Sequence, residues 1–562
     1  MDNYRAILAI VLAFFILLGY QYLFVPPEQE QNQPIVEKTV EAQQPKIPVQ
    51  EVQPQQVPAE VVSVEQPAKV EQPAAFEEPA SLPSQAGKDI VVETSVFTAV
   101  IAETGGGVKS FKLNHFNETA DADSERKELI STESFTELPL YFSWGVDPSR
   151  AQIPLFASDK ETLKVQAGES QTLTMTAELS SGLQVTRRLV FDPYSYLIQM
   201  SIDIYNFSDT PLQGSPYVSL TNLPFGSSLQ RYFFSGPAVL IDGKLEEIKP
   251  GDFEEASKIL KGNITWAAYE GTYFMTGVIP EKNEDISLKL SAEGEKVRTL
   301  LIGVEDVISA KGHLQYNYQV YFWPKKMENL KEAGNDLERI VNFGWFDKIA
   351  RPALYLLNFF YSYVGNYGIS IILVTILIKL LFWPIAQKGL KSMKNMQKIQ
   401  PKMAKLKEKY KNDKNRLNDE MMGLYKTYKV NPLGGCLPML LQIPVFFALY
   451  KVLLQAIELR HAPFMLWITD LSAPDRLMIG IDIPYLGGLP VLTLLMGGSM
   501  FLQQKMTPSP ADATQAKIMM FLPVIFTFMF LNFASGLVLY WLINNLLSIG
   551  QQYLINKKAT AA

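Results

Sequence analysis

The chain is poor in residues that form covalent cross-links or metal sites. One cysteine, Cys436, occurs in 562 residues, which excludes an intrachain disulfide framework and a cysteine-based metal cluster. Three histidines are present, and nothing in the sequence places a carboxylate beside His115 or His313 for acid–base catalysis. We therefore predict a protein that is not an enzyme and that has no metal site and no cofactor.

Charge is also absent from the first long apolar segment, residues 6–24. No small-x-small cleavage pattern follows it, so residues 1–25 predict an uncleaved signal-anchor helix rather than a signal peptide. Residues 26–88 consist largely of Pro, Gln, Glu and Val. Such a composition buries too little apolar surface to offset the entropy of ordering, and it predicts a disordered acidic linker.

Residues 89–335 show a different pattern, in which apolar and polar residues alternate. This period of two is typical of strands with one buried face, and the runs are separated by turn-forming residues. We predict a large antiparallel β-sandwich. The clearest alternating positions are Leu173, Met175, Ala177 and Leu179, then Ile198, Met200, Ile202 and Ile204, then Tyr316, Tyr318, Val320 and Phe322.

The rest of the chain predicts helices in or on a membrane. Residues 336–366 predict an amphipathic helix in the membrane interface, or alternatively the last element of the preceding domain. Five apolar segments follow and predict spans at about residues 367–386, 433–454, 485–503, 518–531 and 536–552. Together with the signal anchor these make six spans, so we predict a polytopic α-helical inner-membrane protein.

Residues 387–430 carry thirteen Lys or Arg and four Asp or Glu, and basic loops remain cytoplasmic. Both termini are then cytoplasmic and the β domain lies outside.

In the same residues 387–430, apolar residues at intervals of three or four predict a helical hairpin that turns near Asn412 and Asp413, with Pro401 kinking or restarting its first helix. The hairpin could contact nascent chains, anionic headgroups or ribosomal RNA, or it could only set the topology. Its candidate contact residues are Lys394, Lys398, Lys402 and Lys405.

Lys379 lies inside the predicted span 367–386. A lysine at mid-bilayer costs about 2.5 to 3.5 kcal/mol on insertion scales, which makes it a candidate functional residue. Thr375 is one turn away, and no Asp or Glu occurs in the interior of any later span, so we predict a hydrated cavity. The alternatives are a lysine that snorkels to the surface and polar residues that only join helices. The other candidate polar residues in the spans are Gln442, Trp541, Asn544, Asn545 and Ser548.

Three segments resemble the YidC family of membrane insertases in its Gram-negative form. They are NPLGGCLPMLLQIPVFFALY at 431–450, APFMLWITDLSAPD at 462–475 and FLPVIFTFMFLNFASGLVLYWLINNLLSIGQQ at 521–552. The resemblance implies a five-helix core around a hydrophilic, positively charged groove, with Lys379 where relatives usually have arginine. It also implies that Thr375 and Trp541 face this groove, and that Ile443 and Phe446 form a hydrophobic slide for substrate helices.

The resemblance implies an insertase and chaperone of nascent inner-membrane proteins, which works alone or with the Sec translocon and without nucleotide hydrolysis. Its expected partners are nascent chains, the Sec translocon, the ribosome and anionic phospholipids, and no nucleotide. The bacterial inner membrane is the expected location, with a periplasmic β-supersandwich of the sugar-mutarotase type. A solute or lipid transporter and an outer-face carbohydrate enzyme or binding module remain alternatives.

Overall fold

The computed structural model describes residues 87–560, apart from positions 122, 180–181, 227–232, 429, 431–436, 481–482, 484–485 and 508–512. The predicted signal anchor, 1–25, and all of the predicted linker, 26–88, except Gly87 and Lys88 lie outside these residues.

The first part of the described chain is built from strands, as the alternating pattern predicts. The strands are β1 (Asp89–Glu93), β2 (Phe97–Ala102), β3 (Val108–Asn117), β4 (Arg126–Ser131), β5 (Tyr141–Trp144), β6 (Ala157–Ser158), β7 (Thr162–Lys164), β8 (Gln171–Glu178), β9 (Leu183–Phe191), β10 (Leu197–Asn206), β11 (Leu212–Gly214), β12 (Pro216–Asn222), β13 (Gly236–Ile241), β14 (Lys244–Glu247), β15 (Lys258–Gly262), β16 (Ile264–Glu270), β17 (Phe274–Pro280), β18 (Ile286–Glu293), β19 (Lys296–Ile302), β20 (Asp306–Ile308) and β21 (His313–Pro324).

These strands form three larger sheets and one pair. The central sheet has nine strands in the order β14-β13-β16-β17-β21-β10-β9-β8-β6, and two five-stranded sheets have the orders β4-β3-β2-β1-β7 and β15-β18-β19-β12-β5. Strands β11 and β20 form the pair. In the central sheet Met200 of β10 lies opposite Leu189 of β9 and Tyr318 of β21, so the register places buried residues of neighbouring strands on one face.

The sheets pack face to face around an apolar core. Phe111 of β3 meets Phe322 of β21 edge to face, with ring centroids 5.4 Å apart. On the same face of β21, Trp144 Nε1 of β5 donates to the Tyr316 hydroxyl at 3.1 Å. Both five-stranded sheets thus contribute strands that contact the central sheet, and the predicted sandwich-like β domain is confirmed. The alternating residues of β8, Leu173, Met175 and Ala177, are at most 3% exposed.

The second part of the chain is helical. The helices are α1 (Met327–Ala333), α2 (Asp347–Val364), α3 (Tyr367–Lys409), α4 (Lys414–Thr427), α5 (Leu437–Gln455), α6 (Val491–Met506), α7 (Ala513–Phe530) and α8 (Ser535–Thr560).

Helix α2 corresponds to the predicted interfacial segment, but it is shorter than residues 336–366. It begins at Asp347 because two 3₁₀ turns, Leu337–Ile340 and Gly344–Phe346, occupy the preceding residues. Its buried face, which includes Leu354 and Leu357, packs against α3 and α5. The opposite side exposes aromatic rings such as Phe359 and Tyr363.

Several predicted helix bounds need correction. The span predicted at 485–503 begins at Val491, because Gly487 is in the left-handed region and Pro490 precedes the helix. The helix that contains the predicted span 367–386 continues beyond it, since α3 runs on to Lys409 through Pro384 and Pro401, and the end of the span itself stays a prediction. Pro401 therefore does not restart the helix. The other three predicted spans correspond to helices Leu437–Gln455, Ala513–Phe530 and Ser535–Thr560.

Length and hydropathy identify one helix among the described residues that could cross a membrane, and this is α3. Residues 442–455 and 519–530 form shorter apolar stretches. The count of six spans stays a prediction.

Candidate functional site

Lys379 of α3 points at a polar face of α8. Its Nζ atom donates to Asn544 Oδ1 at 3.1 Å and to Ser548 Oγ at 2.7 Å. Asn544 and Ser548 are one helical turn apart, so both reach the same amine. The three-and-four spacing of polar residues on the last helix thus brings two predicted groove residues to Lys379.

Gln442 adds a third helix to this arrangement. Its Nε2 atom donates to Asn544 Oδ1 at 2.7 Å, so one amide oxygen accepts from both Gln442 and Lys379. Helices α3, α5 and α8 meet at this oxygen. We call Lys379, Gln442, Asn544 and Ser548 the polar cluster.

The polar cluster is cationic. Among the ion pairs of the described residues none involves Lys379, and its hydrogen-bond partners are an amide and a hydroxyl. Neutral partners accept from two of the three N–H donors of Lys379 without neutralising its charge, so the cluster retains a positive potential that attracts an anionic group.

A cavity of about 30 Å³ lies beside the amine. Water needs about 10 to 15 Å³ of accessible volume and several polar partners, so this cavity can hold one or two molecules. Thr375 lines it, but the Thr375 hydroxyl donates to the Ile371 carbonyl at 2.6 Å within α3. The full lining is Thr375, Ile378, Lys379, Phe382, Ile385, Ala386, Gln442, Tyr540 and Asn544.

Trp541, another predicted groove residue, lies in an aromatic cluster. Its ring packs against Phe446 at 4.7 Å and against Phe530 at 5.0 Å between centroids. Phe446, predicted to belong to the hydrophobic slide, therefore packs inward on α8. Ile443, the other predicted slide residue, is 40% exposed, and Phe447 one turn later is 43% exposed. These two side chains give α5 an open apolar surface.

Asn545 is separate from the polar cluster. It is 3% exposed, and its Nδ2 atom donates to Ser499 Oγ of α6 at 3.0 Å. In the structure it therefore joins α8 to α6, which is the helix-joining role that we considered for polar residues in the spans.

The predicted basic hairpin is formed by the end of α3 and by α4. Asp413 caps α4 by accepting from the Arg416 backbone N–H at 3.0 Å, close to the predicted turn. Ile399 and Met403 pack in a small apolar core with Met421 and Leu424. Of the four predicted contact lysines, Lys398, Lys402 and Lys405 are exposed and Lys394 is partly buried, and the Lys402 amine contacts the Tyr428 hydroxyl.

The sequence reasoning missed the charged residues of the α5–α6 loop, residues 456–490. Asp475 is 2% exposed and accepts from Trp467 Nε1 at 2.6 Å and from the Thr493 N–H of α6 at 3.0 Å. Arg476 donates to the Leu531 carbonyl between α7 and α8 at 2.8 Å. A signal for these roles was present in the sequence, because acidic and basic residues stand directly beside apolar segments. Charged side chains at such positions often cap helix ends or hydrogen-bond buried backbone groups.

Arg460 in the same loop connects the helices to the β domain. Its Nη2 atom donates to the carbonyls of Asn117 and Glu118 at 2.7 and 2.9 Å, and its guanidinium lies 5.2 Å from the Phe274 ring centroid. The loop is thus fixed to both the helices and the β domain.

Comparisons with known proteins agree with this two-part organisation. Residues 89–356 match the family model described as the YidC periplasmic domain, and residues 359–562 match the model described as 60Kd inner membrane protein. Membrane protein insertase YidC of Syntrophus aciditrophicus is 42% identical over 565 residues, which cover 99% of each chain. The protein of the same name from Syntrophobacter fumaroxidans is 42% identical over 484 residues, or 85% of this chain and 88% of that relative.

A solved structure described as an active YidC insertase is also similar, with 20% identity, a TM-score of 0.36, and coverage of 85% of this chain and 95% of that one. Identity of about 40% over nearly the whole length establishes that the chain belongs to the YidC family of membrane protein insertases, which are membrane proteins with a periplasmic domain.

Proposed function

We propose that this chain inserts nascent proteins into the bacterial inner membrane and helps them fold, and that the polar cluster at Lys379 receives the polar segment that must cross. The observation that carries the proposal is an amine inside an apolar helix whose hydrogen-bond partners, Asn544 and Ser548, are neutral. An acidic or polar substrate segment would find there a charge and hydrogen-bond partners that lipid does not offer.

The energy for insertion would come from the substrate itself. A polar segment crosses a shorter apolar barrier if it can pause beside the polar cluster, while its neighbouring apolar helix gains free energy by entering lipid. The exposed side chains of Ile443 and Phe447 offer that helix an apolar surface on α5. No step of this sequence requires nucleotide hydrolysis.

The proposed topology has six spans, both termini in the cytoplasm and the β domain in the periplasm as a β-supersandwich. The excess of thirteen basic over four acidic residues at 387–430 supports a cytoplasmic hairpin. The hairpin lysines would contact ribosomes and anionic phospholipids, and the Sec translocon would share longer substrates.

The test replaces Lys379 and follows insertion of a small Sec-independent substrate in proteoliposomes. We expect Lys379→Ala to reduce insertion of a substrate with an acidic outer tail at least tenfold, and insertion of a matched neutral-tail substrate much less. Lys379→Arg is the control and should insert at least as well as the native protein, because it keeps the charge. Equal insertion by the alanine and native proteins would contradict the proposed role of the charge.

A further inference from the structure

The α5–α6 loop presents an exposed apolar turn, residues 463–467, which we call the loop tip. Leu466 is 88% exposed and Met465 is 47% exposed. No charged residue occurs between positions 462 and 469. A leucine exposed to this extent beside a second apolar side chain has no role inside the protein.

The loop tip is held in a strained backbone. Leu466 has φ +58°, in the left-handed region that side chains other than glycine rarely adopt. Two backbone hydrogen bonds close the turn around it, from Phe464 N–H to the Ile468 carbonyl at 3.0 Å and from Ile468 N–H to the Met465 carbonyl at 3.1 Å. Strain of this kind persists only where the surroundings enforce it. Here its effect is to present Leu466 outward.

The position of the loop tip relative to α3 indicates what it touches. Asn366, the residue that caps α3, donates from Nδ2 to the Phe464 carbonyl at 3.0 Å. The Phe464 ring lies so close to Gly368 that a Cβ there would be 2.0 Å from Phe464 Cδ2, so glycine is required for this contact. The loop tip therefore sits level with the first turn of the helix that carries Lys379.

We propose that the loop tip is a membrane anchor, and that Met465 and Leu466 insert among the acyl chains of the outer leaflet. The proposal rests on the proposed function, because it requires that α3 spans the membrane and begins at its outer surface. Trp467 suits that depth, since its indole is held by Asp475 at 2.6 Å and amphipathic rings favour the interface. Anchoring would fix the α5–α6 loop, and with it Asp475 at the start of α6, on the outer side of the helices.

The test measures the surroundings of the loop tip in the full chain. Cys436→Ala removes the native thiol, and a fluorophore is attached through Leu466→Cys or, in a second variant, Met465→Cys. The control is Phe207→Cys. Phe207 is 51% exposed and directly follows β10. The end of β10 pairs with the start of β21, whereas the helices follow the end of β21, so Phe207 lies away from the helices. In vesicles we expect nitroxides on lipid acyl chains to quench positions 465 and 466 but not 207, and aqueous iodide to quench only 207.

Quenching of 465 and 466 by iodide would overturn the anchor, and protection from both quenchers would do so too, since a protein surface would then cover the loop tip. An impermeant thiol reagent separates these failures from a failure of the proposed topology. It should label the water-exposed Phe207→Cys control only from the outer side, and labelling only from the cytoplasmic side would overturn the topology and the anchor together.

Leu466→Asn supplies an independent check that preserves the turn. Asparagine tolerates the left-handed region, so the backbone is retained while the apolar side chain is lost. We expect this change to abolish acyl-chain quenching of a fluorophore at position 465. Unchanged quenching would show that Leu466 does not hold the loop tip in the bilayer.

Discussion

At the scale of single residues, the chemistry depends on a lysine that has neutral partners. Asn544 Oδ1 accepts from both Gln442 and Lys379, so the amine is held in place by an oxygen that is itself fixed by α5. Lys379 keeps its charge because amide and hydroxyl groups bind an ammonium ion without cancelling it. Asn544 should therefore determine how strongly the polar cluster favours anionic substrates.

Asn544→Asp tests this role with almost no change in shape. The new carboxylate would lie where Oδ1 is now, 3.1 Å from Lys379 Nζ, and would neutralise it. We expect the ratio of acidic-tail to neutral-tail insertion to fall about as far as in Lys379→Ala.

The matched control is Asn545→Asp, which adds the same charge at the next position but toward Ser499. It should lower the yield of folded protein and leave the insertion ratio unchanged. A preserved ratio in Asn544→Asp, or an equal fall in both variants, would contradict the role of Asn544.

Another residue-scale prediction concerns Glu270, which is buried in the β domain with Lys325 at 2.7 Å. Burial raises the pKa of the Glu270 carboxyl to about 7 from its ordinary 4.5, although Lys325 lowers it. Between these values the unfolded chain has lost a proton that the folded chain retains, so the free energy of unfolding should fall as pH rises from 4.5 to 7.

Glu270→Gln should remove this part of the pH dependence in thermal unfolding of the full chain in detergent. Glu255→Gln, an exposed control on the same domain, should keep it. A slope that survives in Glu270→Gln would show that another group produces it.

At the scale of elements, the sequence predicted the type of each segment better than its ends. Alternation identified β8, β10 and β21 because each has one buried face, and hydropathy located α3, α5, α7 and α8 because lipid and core both select apolar residues. The predicted start of α6 was wrong because the observed start is set by a capping residue, Asp475, and by a turn at Gly487. Hydropathy detects neither feature. Pro401 did not restart α3. Ile399 and Met403 on either side of it pack against α4, and tertiary packing can override the low helix propensity of proline.

The candidate site was also predictable only in part from the sequence. Spacing along α8 placed Asn544 and Ser548 on one face, but it also included Asn545, which turns toward α6, and Trp541, which joins the aromatic cluster. Helical period gives a face about one third of the circumference wide, and only the neighbouring helices show which residue meets which partner. Arg460 could not be assigned, because its partners at 117 and 118 are distant in sequence.

The hairpin of α3 and α4 yields a prediction about partners. Replacing Lys394, Lys398, Lys402 and Lys405 together with glutamine should weaken ribosome binding by the full chain in neutral-lipid nanodiscs about tenfold and reduce its salt dependence, because phosphate contacts release counterions. Co-sedimentation at several salt concentrations measures both effects. Four arginines at the same positions should preserve binding. If the glutamine variant binds as before, the hairpin only sets topology.

At the scale of the whole molecule, Arg460 couples the two parts of the chain. It bonds two carbonyls at the end of β3 while its own loop is tied to α6, α7 and α8. The β domain is therefore connected by a polar contact to the loop that is hydrogen-bonded to the helices.

Arg460→Ala should loosen this connection. Hydrogen bonds from a charged donor contribute about 1.5 to 3 kcal/mol, so local opening at the β3–β4 turn should increase about tenfold or more in hydrogen exchange of the full chain. Arg339→Ala is the control, since Arg339 makes one similar bond to the Gly243 carbonyl at 2.8 Å on an exposed surface. Unchanged exchange near residues 117 to 125 in Arg460→Ala would contradict the coupling.

The proposed function requires that water reaches Lys379 within the membrane, and this can be measured by thiol modification. In a Cys436→Ala background, the Lys379→Cys variant is treated with a charged, membrane-impermeant thiol reagent from the cytoplasmic side. The control is a separate Leu380→Cys variant, because the native Leu380 side chain is 59% exposed on the helix surface. Thiols react as thiolates, which form in water and not in lipid. We expect rapid modification at position 379 and very slow modification at position 380. Equally slow modification at both positions would show that no water reaches position 379 and would contradict the proposed function.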